Sequence, residues 1–486
     1  MAISRLREPP LHNYLAYQSV IDSLNEDGFA VFGHDKGPPF EGARTEKLLR
    51  SSSQVNAALA NAMVYPIDET LPPDIIRGNE RGYADYVYLS FVLFGVQAIS
   101  LYFFYFLLMA VSVGAFVVEF KDRTSALFLL STYLAGLLFV MEFVFASGTQ
   151  MLVLQNSRVF GIFTLLPMMH LLLVTIHQAP VTYLRVALIV VQSALMCFLL
   201  MSRMALFWQI VVVVAFGGIY AAGAFVRYRR SDELPKLIGS RLLPAAILVI
   251  VTVLNIVQVS SNEDVRYRKD STGHLFWHNV LSGTLMVSEV LREKYVEEDK
   301  RKSLSDQLAY EAVMTDLRRR NDISPSIALL YQGKIYITPD KSWKEYEGLA
   351  RNLVFKIAKS YPLEIVKGFV AKFDLQYRLY SEIKLSWSAA VLPIILFLLG
   401  GVLALGSNDM RPPNRRWQTS GLISVLIIGF ALTPVLIFPG QTNIDVLLAY
   451  ILVGAVGTFY CATDLTSELL KIHRNWKMKK AINDMS

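Results

Sequence analysis

Two stretches of this chain carry side chains spaced for chemistry. The first is Arg77-Gly78-Asn79-Glu80-Arg81-Gly82-Tyr83-Ala84-Asp85-Tyr86, with Asp68, Glu69 and Asp74 upstream. A carboxylate such as Glu80 or Asp85, just ahead of the first long apolar run, can act as general base on an acceptor hydroxyl. It can equally hold a divalent cation against a phosphate. Arg77 and Arg81 offer guanidinium forks that match phosphate oxygens. The plainer reading of the same residues is a solvated loop whose charges pair with one another. The second stretch is Gly273-His274-Leu275-Phe276-Trp277-His278-Asn279. On a helix, His274 and His278 share a face, so both imidazoles could meet one metal or one phosphate. No third ligand is identifiable beyond the candidate Asp306, and the metal stays unknown. Histidine also moves protons near neutral pH. Here the plainer reading is a His/Trp belt at the membrane interface, packing against a helical bundle.

A third set, Glu142, His170 and Arg185, falls in or near apolar segments. Ionisable groups in hydrocarbon are costly and often functional. All three are expected close enough to helix ends to reach water, and we read them as structural.

The elements that must position these residues are membrane helices. Of 486 residues 53% are hydrophobic and 18% charged, and the apolar residues come in blocks of about 20, the length that crosses a bilayer. The fold class expected is an all-α polytopic membrane protein with about nine transmembrane helices and a mainly helical soluble insertion. Region 1–85 is a polar loop region carrying the acidic motif. It includes a Gly/Pro-rich loop at Gly33–Gly42, a short amphipathic helix at Ser52–Met63 and a proline-punctuated stretch at Tyr65–Asp74. Region 86–259 holds six spans, 260–385 is the insertion, 386–465 holds three more spans, and 466–486 is a basic tail. Gly95 divides the first apolar block into an interfacial helix, Tyr83–Leu93, and a span, Val96–Val118. Further spans are expected at about 125–146, 158–177, 181–201, 204–226, 241–259, 386–405, 420–438 and 444–464.

Net charge is +7, an excess that suits cytoplasmic loops and does not call for nucleic acid. Lys121 and Arg123, the run Arg227 to Arg241, Arg411 to Arg416 and the tail Lys471 to Lys480 all fall on one side of a nine-span layout, taken as cytoplasmic. The tail is a topology anchor with anionic lipid as a secondary contact. Regions 1–85 and 260–383 then fall on the outer face. No signal peptide precedes the outward N-terminal region, and we expect a start further upstream that supplies one more membrane helix. Cys197 and Cys461 both lie in apolar segments, so no disulfide framework follows. Within the insertion the pattern predicts helices over His274–Val290, from Ser303-Leu304-Ser305-Asp306 to Arg319, over Glu345–Ser360 and from Pro362 to Ile383. A short strand is expected at Lys334–Thr338.

With these residues in place, the layout resembles the GT-C class of integral-membrane glycosyltransferases. Asn79-Glu80-Arg81-Gly82-Tyr83-Ala84-Asp85-Tyr86, followed by Leu93-Phe94-Gly95, looks like the acidic pair, tyrosine and lead-in to the second helix in such enzymes. Asn79 stands where the first acid is usual, leaving Glu80, with Asp85 as the substitute. Gly273-His274-Leu275-Phe276-Trp277-His278, with Asp306-Gln307-Leu308-Ala309 after it, resembles a G-H-P-x-W-H … D-x-x-A pattern of bacterial membrane proteins of this general kind, Leu275 replacing the proline. The resemblance covers most of the chain in layout and about thirty residues in motif. It implies transfer of a sugar from a polyprenyl-phosphate donor on the outer face of the cell (inner) membrane. A carboxylate would serve the acceptor hydroxyl, and Arg or His would stabilise the leaving phosphate. A divalent cation is used by some members and not by others. The competing readings are a polymerase or ligase of lipid-linked glycans, and a non-catalytic transporter or scaffold.

Overall fold

The computed structural model describes residues 81–95, 97–146, 160–176, 180–202, 207–229, 234–261, 276–298, 301, 307–320, 340–368, 371 and 395. Every regular element described is a helix. In chain order these are α1 (Arg81–Phe94), α2 (Ala98–Phe120), α3 (Thr124–Ala146), α4 (Phe160–Ile176), α5 (Tyr183–Met201), α6 (Trp208–Tyr228) and α7 (Leu234–Ser261). The insertion adds α8 (Phe276–Val287), α9 (Glu289–Tyr295), α10 (Gln307–Arg320) and α11 (Asp340–Ser360). Four described helices are long and apolar enough to cross a membrane: Ile99–Phe120, Tyr183–Met201, Gln209–Tyr228 and Ile238–Gln258. Ala126–Leu138 and Phe160–Ile176 are apolar but shorter. The N-terminal region before residue 81, the strand expected at Lys334–Thr338, the basic tail and nearly all of the last three expected spans lie outside the described residues.

The local chemistry explains the helix ends. Gly95 ends α1 with φ +87, a left-handed conformation that side chains other than glycine rarely adopt. Its turn leaves carbonyls without helical partners, and the buried Ser100 hydroxyl reaches back to them, 2.6 Å from Gly95 O and 3.1 Å from Phe94 O. Backbone groups at membrane depth need such partners because lipid supplies none. Thr182 caps α5, its hydroxyl accepting from the Arg185 backbone N–H at 3.2 Å.

α1 differs from the expected interfacial helix. Two of its three tyrosines do not present hydroxyls to water. Tyr83 and Tyr86 are fully buried, and the Tyr86 hydroxyl donates to Leu101 O at 2.5 Å. The Tyr86 ring packs on Phe104 and Phe160. Gly82 is what permits the approach: a Cβ there would lie 2.3 Å from the Met201 carbonyl carbon. α1 is thereby seated on the C-terminal end of α5.

Pairings give the directions of the bundle helices. α2 and α5 are antiparallel, with Ser112 opposite Gln192 and Glu119 opposite Arg185. α4 runs parallel to α2, with Phe160 beside Tyr105 and His170 beside Phe116 and Phe120. Each described side chain of α4 is buried, as expected for a helix apolar all round at the centre of a bundle. α6 and α7 are antiparallel: the Arg241 guanidinium donates to Tyr220 O at 3.1 Å and lies over the Tyr220 ring, and Gly217 lies against Ala245.

The insertion has its own apolar core. Leu281 and Leu285 of α8, Ala312 of α10, and Tyr346, Leu353 and Ile357 of α11 meet there. The single helix expected over His274–Val290 is broken at Ser288. The Ser288 hydroxyl accepts from Leu291 N at 3.4 Å, which starts α9, and donates to the Glu364 carboxylate at 3.0 Å. A serine that can bond the backbone locally competes with helix continuation.

Candidate functional site

The acidic stretch is described from Arg81 onward. Arg77 and Glu80 lie outside the described residues. Arg81 opens α1, and Asp85 sits one turn further along, half-buried. Because Gly82 abuts Met201, this end of α1 lies where α5 ends. α6 begins at that same end after a connection of six residues, and α7 runs back to it antiparallel to α6. Cys197 of α5, 3.0 Å from the Thr252 hydroxyl of α7, joins the two helices near this level. The acidic stretch therefore ends, and the insertion begins, at one end of the bundle.

In the insertion, His274 and Asp306 lie outside the described residues, while Trp277 and His278 occupy the first turn of α8. His278 is buried, 3% exposed. Its Nδ1 lies 2.7 Å from the Tyr346 hydroxyl, and its ring packs on those of Tyr310 and Tyr346. Burial pushes its pKa down to about 4, so near neutral pH the ring is uncharged, and it shares one hydrogen bond with the tyrosine hydroxyl. The backbone N–H groups of Trp277 and His278 donate to the Glu347 carboxylate at 3.0 and 3.3 Å. The free amides of a helix N-terminus, where a phosphate could settle, are thus occupied by a carboxylate of the protein itself. Burial raises the pKa of Glu347, and the two amide hydrogen bonds oppose that rise.

The third set departs from the sequence reading. His170 does not reach water, and Arg185, near the start of α5, is almost wholly covered. His170 lies well inside α4 and is fully buried, and Arg185 is 5% exposed. Arg185 Nε pairs with Glu119 Oε1 at 3.1 Å. Seven residues away on each helix, about 10 Å along the axis, the Ser112 hydroxyl donates to Gln192 Oε1 at 2.8 Å and Gln192 Nε2 donates to Ser112 O at 2.8 Å. Gln192 Nε2 also lies 3.3 Å from His170 Nδ1. An amide nitrogen can only donate, so Nδ1 is the acceptor and the ring proton sits on Nε2. That Nε2 has no hydrogen-bond partner among the described residues. Glu142 is on α3, with its side chain outside the described set.

Sequence reasoning passed over Glu119, Gln192 and Ser112 in the bundle, and Tyr346 and Glu347 in the insertion. One signal was present: 112 and 119, and 185 and 192, share a seven-residue interval, which puts each pair on one helix face. Among the described residues no three His, Cys, Asp or Glu side chains gather as a metal site. No family model, curated protein or solved structure matches this chain.

Proposed function

We propose that this multi-pass α-helical membrane protein is a glycosyltransferase of the GT-C kind, moving a sugar from a polyprenyl-phosphate donor to an acceptor on the outer face of the membrane. The observation that carries the reading is the shared bundle end. The acidic stretch finishes there on α1 and the histidine-bearing insertion leaves there from α7, which suits two segments serving one site. In this reading the acceptor oxygen bonds to the anomeric carbon as its proton passes to Glu80 or Asp85. The bond from that carbon to the phosphate oxygen breaks, and polyprenyl phosphate leaves with the electron pair. Arg77, Arg81 and His274 neutralise that phosphate. Trp277 and Asp306 line the same site. The buried, uncharged His278 supports a role in holding the motif in place more than one in meeting the phosphate.

The test is native mass spectrometry of protein extracted with its lipids, joined to a transfer assay in nanodiscs. A co-purifying polyprenyl phosphate is expected. Glu80→Gln or Asp85→Asn should lower transfer at least a hundredfold with the lipid still bound, the scale of losing a general base. Bulk phospholipid alone, with both variants unchanged, overturns the reading.

The buried His170–Gln192–Ser112 chain and Pro167 inside α4 favour a second reading, a transporter with polar groups and a proline-bearing helix inside the bundle. There, His170→Phe would abolish flux of a labelled solute, and the unaltered protein would show no glycosyl transfer.

A further inference from the structure

The insertion carries an apolar surface with nothing described against it. Phe276 and Phe355 are 47% and 58% exposed. Both pack on Trp277, at ring centroid distances of 5.0 Å from Phe276 and 5.3 Å from Phe355. Helical spacing places Arg351 and Lys359 one turn before and one turn after Phe355, on the face of α11 opposite the buried Tyr346, Leu353 and Ile357. Both are exposed. Just beyond α11, Leu363 and Val366 are also exposed, at 72% and 65%. Lys367 beside them reaches solvent while paired to Glu364 at 3.0 Å.

We propose that this face rests on the surface of the bilayer that holds the bundle. Phe276 and Phe355 enter the headgroup boundary, and Arg351, Lys359 and Lys367 meet anionic lipid headgroups. Three observations select lipid as the occupant. An aromatic cluster with a cation one helical turn to each side of Phe355 is a composition that partitions to a membrane interface. The basic residues complement anionic headgroups. The chain leaves α7 at Ser261 and starts α8 at Phe276, so residues 262–275 can extend at most about 50 Å. The insertion is therefore held within reach of the bilayer. The surface is separate from the acidic stretch and stands whether or not the chain transfers sugar.

The experiment uses the full chain in nanodiscs, with Cys197 and Cys461 replaced by Ala. A nitroxide is placed at Phe355→Cys or Val366→Cys, with exposed Glu298→Cys as the aqueous reference. Collision rates with oxygen and with a water-soluble nickel chelate are read. Docking is expected to raise the oxygen-to-nickel ratio at 355 and 366 well above that at 298, and more so with anionic lipid. Reversing Arg351 and Lys359 to Glu should return the label to water by about fivefold in docked population per charge, from about 1 kcal/mol for each basic residue near such a surface. A nickel rate at 355 equal to that at 298 overturns the proposal. So does protection from both reagents with spin–spin broadening, which marks a second copy. Protection from both without broadening marks the bundle itself, and overturns it too. Insensitivity to charge reversal overturns the headgroup contact.

Discussion

At the residue scale, the behaviour of His278 follows from its surroundings. Its ring is sealed among tyrosines and its pKa falls to about 4, whereas an unfolded chain binds the proton near 6.5. The unfolded state therefore takes up a proton first as pH falls. Stability of the insertion is full above about pH 6.5 and declines towards pH 4, by up to about 3 kcal/mol. Pulse proteolysis of nanodisc-held protein across that range should show the decline, and His278→Phe should flatten it. Tyr346→Phe leaves His278 Nδ1 buried without its 2.7 Å partner. The loss expected is about 1–3 kcal/mol in the same assay, with His278 taking up its proton at a different pH in NMR titration.

The elements are joined at a small number of close approaches. Gly82→Ala would drive a methyl into the Met201 backbone, and backbone cannot move aside as a flexible side chain can. The expected cost is about 1–3 kcal/mol, together with displacement of α1 and of Asp85. Cross-linking yield between cysteines introduced on α1 and α5 would report it. The α2–α5 seam makes a different prediction. Glu119→Leu or Arg185→Leu alone removes one partner of a buried ion pair and should cost about 3–5 kcal/mol, whereas the double change should cost far less. A double-mutant cycle on unfolding in bicelles measures both, and additive losses would show that the 3.1 Å pair is not coupled.

At the scale of the whole molecule, the helix directions are consistent with the charge distribution read from the loops. α2 ends at the opposite end of the bundle from the start of α1, next to Lys121 and Arg123. α6 ends at that same end beside Arg227 and Arg229. With positive charge retained on the cytoplasmic side, reporter fusions after residues 122 and 231 should read cytoplasmic, and fusions after residue 262 should read external. One fusion of opposite sign would break the topology that places the acidic stretch and the insertion on one face.

Among the described residues, the sequence by itself determined the helices of the bundle and most of those in the insertion. The expected spans at 125–146, 158–177 and 181–201 match α3, α4 and α5 within a few residues. Gly95 was legible as a break because the left-handed turn there is a local property of a residue without Cβ. The break at Ser288 was just as local, yet was missed because the apolar period runs through it. The tertiary structure alone decided which polar groups meet. Ser112 and Gln192 are 80 residues apart, and His278 and Tyr346 are 68 apart. Composition marks such residues as costly in an apolar setting. Only the register of one helix against another names the partner that offsets the cost, and a shift of a single residue turns each of them by about 100° around its helix, to face lipid or water.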